Sequence, residues 1–270
     1  MSGTLYLGTS GFAYDEWKHG VFYPEGLKNA DMLSYYASRF PSVEINYTFR
    51  RYPSEKSVLA WRGGTPEGFR FTLKANQRIT HYRRLADADE DVRDFLDKAR
   101  LLGDRLGTVL FQCPPTLQYG RGLIEQFVGG LPPDVRAVME FRHPSWVEAR
   151  SFLHEQGVAW CVAETDEKDP GPDDLSWEPY GYLRLRKTEY GDEELAGWAA
   201  RIGPAAAVAS QATGELDRSR HGQPGARARC LDRLEAVRPP SQRLPRDRPG
   251  DPPRAGPRTG TQRAAPRGPP

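Results

Sequence analysis

AVMEFRHPSWVEARSFLHEQGVAWCVAE, residues 137–164, holds one complete repeat of the fold. Ala137–Arg142 is a short, largely apolar run bounded by a His-Pro turn, which reads as a strand. Ser145–Gln156 reads as a helix: Ser145 and Glu148, three residues apart, form a capping box, and Gly157 is the stop signal. Val158–Glu164 is again a short apolar run. Strand, helix and strand in this compass mean two parallel strands joined by a helical crossover.

The same alternation extends outward in both directions. Leu5–Thr9, Val43–Phe49, Phe69–Lys74, Thr108–Gln112 and Gly181–Arg186 are the other strand candidates. Asp31–Phe40 sets Leu33, Tyr36, Ala37 and Phe40 on one helical face, and Glu90–Leu102 does so with Val92, Phe95, Leu96 and Ala99 before Gly103. Asp192 is placed to cap a last helix carrying Leu195, Trp198 and Ile202. Units spaced about 25–35 residues apart suit a TIM-type (β/α)₈ barrel with seven of its eight units legible, better than an open doubly wound sheet. No GxGxxG follows the first strand and no GxxxxGK[ST] occurs, so a Rossmann or P-loop nucleotide site has no support.

Barrel strands alternate between lumen and helix layer. In six strands one phase ends in polar residues: Glu44 and Asn46, Lys74, Gln112, Glu140 and Arg142, Glu164, and Arg184 with Arg186. If that phase is the lumen, these nine side chains meet at the C-terminal mouth, where barrel enzymes place their chemistry. Three carboxylates face four cations, a slight excess for an anionic group such as phosphate, which Arg binds bidentately. Carboxylates beside such cations suit proton transfer. A self-neutralising salt-bridged plug is the structural alternative.

Composition divides the chain at residue 202. Residues 203–270 lack Phe, Trp, Tyr, Ile, Met, Asn and Lys, and Pro, Arg, Ala and Gly fill 44 of the 68 positions. Such a segment buries too little apolar surface to offset its chain entropy, so a disordered tail is expected. It holds 13 Arg and 6 acidic residues, which leaves 25 basic and 30 acidic residues in 1–202. The net +2 therefore averages a basic tail with an acidic body, and gives no ground for general nucleic-acid binding. The tail's four residue types are those of GC-only codons, so out-of-frame translation of a GC-rich gene is the favoured origin. A natural Arg/Pro-rich tail and a solvated linker are the alternatives. Three cysteines, Cys113, Cys161 and Cys230, in no CxxC pattern exclude a disulfide scaffold and a four-cysteine zinc site. No apolar run approaches the roughly 18 residues of a membrane span, and no secretory signal is visible, so the expected location is the cytoplasm.

GTSGFAYDEW (8–17), VFYP (21–24), VEINYTFRRYP (43–53), ITH (79–81), LGTVLFQCPP (106–115), MEFRHPSW (139–146) and YLRLRKTEY (182–190), in this order, resemble the YecE-like family, the domain of unknown function 72. The resemblance covers about residues 5–202. It implies a TIM-type barrel and supplies no activity. A similarity to endonuclease-type barrels is an analogy of fold and pocket. The family pattern continues with an aromatic-rich eighth strand, a KHE-like segment and a closing helix. Here GPAAAVASQATGELDRSRHG (203–222) stands instead, so strand 8 and its site residues are expected to be missing.

The catalytic candidates are Glu140, Glu44, Glu164 and His143; the binding candidates are Asn46, Lys74, Gln112, Arg142, Arg184, Arg186, Tyr14, Trp17 and Ser10. Tyr14 and Trp17 offer faces for stacking on a base or sugar. Gly8, Ser10 and Gly11 offer backbone N–H groups to a phosphate, or form a tight turn. His81 and His143 follow strands 3 and 5, either as acid–base groups or as structural residues; His19, His154 and His221 read as surface, and Tyr190 stands beyond strand 7. A metal set of His81, Glu140, His143, Glu164 and Asp166 can be drawn, but its spacing is not diagnostic, so no metal is assigned and the cofactor is unknown. Cys161 reads as core and Cys113 as a weak nucleophile candidate. The leading expectation is a hydrolase or other acid/base enzyme on a phosphate- or sugar-containing, nucleotide-like or other small molecule. The alternatives are a non-catalytic nucleic-acid binder using Arg142, Arg184, Arg186, Tyr14 and Trp17, and a frameshifted product without function. Oligomeric state is not legible.

Overall fold

The computed structural model describes residues 4–166 and 180–212, the last nine as backbone only. Seven strands run β1 Gly8–Ser10, β2 Ser42–Ile45, β3 Arg70–Lys74, β4 Leu106–Gln112, β5 Ala137–Glu140, β6 Ala159–Thr165 and β7 Tyr182–Arg186. All neighbours pair in parallel and in chain order, β1 to β7. The helices are α1 Met32–Ala37, α2 Tyr47–Arg50, α3 Glu55–Gly63, α4 Asp89–Ala99, α5 Arg121–Gly129, α6 Arg150–Glu155 and α7 Asp192–Ala212. The sequence reading names neither α3 nor α5. Strictly sequential order makes the sheet curl in one direction. The Tyr182 hydroxyl of β7 donates to Glu44 Oε2 of β2 at 2.9 Å, so the seventh and second strands face each other across the interior.

The strand phases sort into two cores. Val43, Phe71, Leu73, Val109, Phe111, Met139, Trp160 and Val162 point outward and pack under the helices. Leu110, Val138, Ala159 and Cys161 form a separate inner cluster with Ala163, Tyr180 and Tyr182. On the inner face the small Ala159, Cys161 and Ala163 of β6 leave room for the long polar groups above them. The close pairing of β1 with β2 requires Gly8: a Cβ there would lie 2.1 Å from the Ser42 carbonyl oxygen.

Local differences from the sequence expectation have identifiable causes. The first strand is Gly8–Ser10 rather than Leu5–Thr9, and Leu5 and Tyr6 are exposed. The second strand stops at Ile45, because the chain turns into α2. Thr48 Oγ1 donates to the carbonyls of Ile45 (2.9 Å) and Lys74 (2.7 Å), fastening that turn to the end of β3. The helix expected at Ser145–Gln156 is a 3₁₀ segment, Pro144–Ala149, followed by α6. Its cap is His143, whose Nδ1 accepts from Ser145 N at 3.2 Å, not a Ser145–Glu148 box. At α7, Glu194 reaches back to accept from Gly191 N at 2.9 Å, and Asp192 is the first helical residue. That helix passes through the composition change at residue 202 to Ala212. The tail expected to be disordered lies, beyond that helix, outside the described residues. Among the described residues no strand bridges β7 to β1.

Candidate functional site

The C-terminal ends of the strands carry a buried ionic cluster centred on Arg184, which is 5% exposed. Its Nη2 donates to Glu44 Oε1 at 2.8 Å, and its Nη1 pairs with Glu140 Oε2 and reaches Gln112 Oε1 at 3.3 Å. One guanidinium from β7 thus clamps carboxylates from β2 and β5. Glu44 also accepts from Ser10 Oγ at 2.8 Å and from Tyr182. Asn46 Nδ2 donates to the same Ser10 hydroxyl at 2.7 Å. Burial alone would raise the Glu44 carboxyl. Arg184's charge and the donors Ser10, Tyr182 and Arg184 outweigh it and hold Glu44 below its ordinary value. Burial opposes the Arg184 charge, and Glu44 and Glu140 more than restore it. Arg184 Nε remains without a partner among the described residues.

Above this clamp lies a cationic rim. Lys74, at the end of β3, is 9% exposed; its Nζ donates to Gln112 Oε1 at 2.7 Å and stands 4.3 Å above the Phe49 ring. Burial, then the charge of Arg184, lowers the Lys74 ammonium to about 8. Arg142 Nε bonds Glu140 Oε1 at 3.2 Å and keeps part of its surface. Arg186 is exposed at the end of β7 and acts on both Lys74 and Tyr14. His81 packs edge-on against Phe49, ring centres 5.0 Å apart, and its Nδ1 lies 2.8 Å from Thr80 Oγ1. Burial, then Lys74, Arg142 and Arg84, lowers its imidazole. Tyr14 is exposed; its hydroxyl donates to the Ser10 carbonyl, and burial with the Glu44 charge pushes it up.

Ser10, Glu44, Asn46, Lys74, Gln112, Glu140, Arg142, Arg184, Arg186 and Tyr14 are therefore brought to one end of the sheet. Glu164 is not. In β6 the lumen phase is Cys161 and Ala163, so Glu164 faces α7, where it takes Trp198 Nε1 at 2.8 Å and Lys187 Nζ at 3.0 Å. Glu164 thus ends the outer phase of β6, with Trp160 and Val162, and not the lumen phase that the sequence predicts, because both phases of this strand are largely apolar. His143 is engaged as a helix cap, with Nδ1 2.7 Å from Ser145 Oγ. Trp17 belongs to an aromatic cluster in the first loop, 4.8 Å from Tyr14, 5.4 Å from Phe22 and 6.5 Å from Tyr23. Of the backbone N–H groups offered to a phosphate, that of Gly11 already donates to the Glu44 carbonyl at 2.8 Å, and the neighbouring Thr9 N donates to Tyr36 Oη at 2.8 Å.

Asp166 accepts from Thr188 N at 3.0 Å, and Tyr190 Oη accepts from Lys187 N at 3.2 Å; both close the corner between β7 and α7. The drawn metal set is thus dispersed, and among the described residues no group of three His, Cys, Asp or Glu side chains could hold a metal ion. Cys113 is fully buried, and burial pushes its thiol up, away from the nucleophilic thiolate. Sequence reasoning missed Tyr182, though it sits two residues before Arg184 on the same phase. It also missed Phe49, which carried no signal while residues 43–49 read as one strand, and Arg84, which stands in the turn before α4.

These features define an α/β protein with a curled, all-parallel sheet and a buried ionic cluster at the strands' C-terminal ends. The chain belongs to the family described as protein of unknown function DUF72, whose model matches residues 6–246. It is similar to the UPF0759 protein YecE of Escherichia coli K12, 32% identical over 160 residues, 56% of this chain and 57% of that protein. The UPF0759 protein YunF of Bacillus subtilis is 28% identical over 186 residues, 62% of each chain. The chain thus matches less than two thirds of the length of these curated relatives. The crystal structure of a DUF72 family protein from Thermotoga maritima superposes with a TM-score of 0.60 at 29% identity, covering 73% of this chain and 85% of that one. One from Enterococcus faecalis gives 0.59 at 17% identity, covering 87% and 97%, a likeness of fold alone.

Proposed function

We propose that this chain is an acid/base enzyme on a TIM-type barrel scaffold, acting at its C-terminal mouth on a small molecule that carries a phosphate or similar anionic group. The observation that supports this is the charge balance of the inward phase. With Glu164 on the outer face, two carboxylates, Glu44 and Glu140, meet four cations, Lys74, Arg142, Arg184 and Arg186. The buried charges balance among themselves, Glu44 and Glu140 against Arg184 and Lys74, since an unpaired buried charge costs several kcal/mol; the two further cations, Arg142 and Arg186, keep exposed surface at the rim. An excess of two positive charges is the complement of a dianion, and the arginines suit forked contacts with it. Lys74, lowered to about 8 by burial and then by Arg184, is the group poised for proton transfer near neutral pH. No helix among the described residues is long and apolar enough to cross a membrane, and a cytoplasmic location suits a metabolite-sized substrate. The nucleic-acid alternative loses one of its contacts, because Arg184 is buried.

The test is binding of inorganic phosphate to the full chain, read by calorimetry and by thermal melting against chloride at matched ionic strength. Phosphate is expected to raise the melting temperature, and Arg142→Gln with Arg186→Gln to remove most of that rise. Equal melting in both salts, with no heat of binding, overturns the reading.

A further inference from the structure

Lys74 lacks the partner that a structural buried lysine would have. Among the described residues no carboxylate lies within ion-pairing distance of its Nζ. The hydrogen bond runs to Gln112 Oε1, a neutral oxygen already shared with Arg184, and the Phe49 ring centre lies 4.3 Å from the ammonium nitrogen. Both carboxylates of the cluster are turned to arginines instead: Glu44 to Arg184, Glu140 to Arg184 and Arg142. A lysine desolvated beside another cation is the arrangement that makes a neutral, nucleophilic amine. Its position at the end of β3 places it within electrostatic reach of Arg186 and His81, and His81 is in turn within reach of Arg142.

We propose that Lys74 is a covalent nucleophile, forming an imine with an aldehyde or ketone substrate whose anionic group is held by the arginine rim. This rests on the anion-binding reading above and names its substrate class. The nitrogen lone pair makes the new N–C bond, and the carbonyl π pair moves to oxygen. That oxygen then leaves as water carrying the two amine protons. No oxidant, reductant or cofactor enters. The imine, once protonated, draws electrons from the neighbouring carbon, so the reaction class is carbonyl chemistry at that position: aldol-type bond exchange or proton transfer. The groups acting on Lys74 from the surrounding elements are Arg184 and Arg186 on β7, Glu140 on β5 and Glu44 on β2; the two arginines favour the neutral amine and the two glutamates oppose it. Burial is the larger influence, and it also favours the neutral form.

The experiment incubates the full chain with glycolaldehyde phosphate, or with unphosphorylated glycolaldehyde, at pH 8 in the presence of cyanoborohydride, which reduces an imine to a stable secondary amine. Peptide mass mapping then compares Lys74 with Lys18, Lys28, Lys56 and Lys98. Lys74 is expected to be labelled roughly tenfold or more over the others, since an ordinary lysine is almost wholly protonated at that pH. Labelling by the phosphorylated probe should be suppressed by inorganic phosphate, and Lys74→Arg should abolish the selective adduct. Selective labelling of Lys74 by both aldehydes without phosphate protection supports the nucleophile and overturns the anion-binding reading. Labelling of Lys74 at or below the level of the surface lysines overturns the nucleophile. Calorimetric phosphate binding would then still stand on its own.

Discussion

A single lysine carries an energetic signature that separates a functional from a structural role. An ordinary lysine titrates near 10.5, whereas Lys74 in the fold is lowered to about 8, with burial the main cause. The folded state therefore binds fewer protons than the unfolded state between these values, and stability rises with pH across that window. Below about 8 the folded protein bears the cost of a desolvated ammonium. Lys74→Met, which keeps the stem over Phe49 and removes the charge, is expected to stabilise the protein at pH 7 by on the order of 1–2 kcal/mol while removing any turnover. Urea unfolding at pH 7 and pH 9.5 checks this, and the gain should shrink at the higher pH. A loss of stability on Lys74→Met would mean that the amine's bond to Gln112 outweighs its desolvation.

At the scale of an element, Glu164 shows how one residue on the wrong face changes a site. Its carboxylate receives Trp198 Nε1 and Lys187 Nζ, and Lys187 in turn reaches Glu194 at 2.8 Å, so three groups pin α7 to the β6–β7 corner. Glu164→Ala is expected to cost about 1–2 kcal/mol and to speed hydrogen exchange in α7, while leaving phosphate binding at the mouth unchanged. Loss of phosphate binding without faster exchange would return Glu164 to the site. The strands themselves were legible because short apolar runs punctuated by Gly and Pro admit few other readings. The polar phase was legible in β2, β3 and β7, where polar and large apolar residues alternate strictly, and in β5 from Glu140 at its end. It was not in β6, where Cys161 and Ala163 are as apolar as Trp160 and Val162; size, not polarity, told inside from outside. The caps at His143 and Glu194 were missed because they depend on side-chain reach rather than on pattern.

Across the whole molecule, Glu44 is the point where the two flanks of the curled sheet meet. β2 presents its carboxylate, and β7 answers with Tyr182 at 2.9 Å and Arg184 at 2.8 Å. Among the described residues β1 and β7 share no backbone pairing, so these side-chain bonds hold the curl across that interval. Glu44 is held below its ordinary carboxylate value of 4.5 despite burial, by Arg184 and its hydrogen-bond donors. The sign follows: the unfolded chain takes up a proton at Glu44 before the folded one does. Its contribution is thus complete above the ordinary value and is lost as pH falls through the depressed one. Glu44→Gln should therefore destabilise the protein at pH 7 by about 2–4 kcal/mol, because it leaves Arg184 half-paired in the interior. It should also flatten the acid limb, so that wild type and variant converge as the pH drops from 5 toward 3. Urea melts followed by tryptophan fluorescence at pH 7, 5, 4 and 3 measure both effects. Parallel curves at every pH would mean that Glu44 is not what fastens one flank of the sheet to the other.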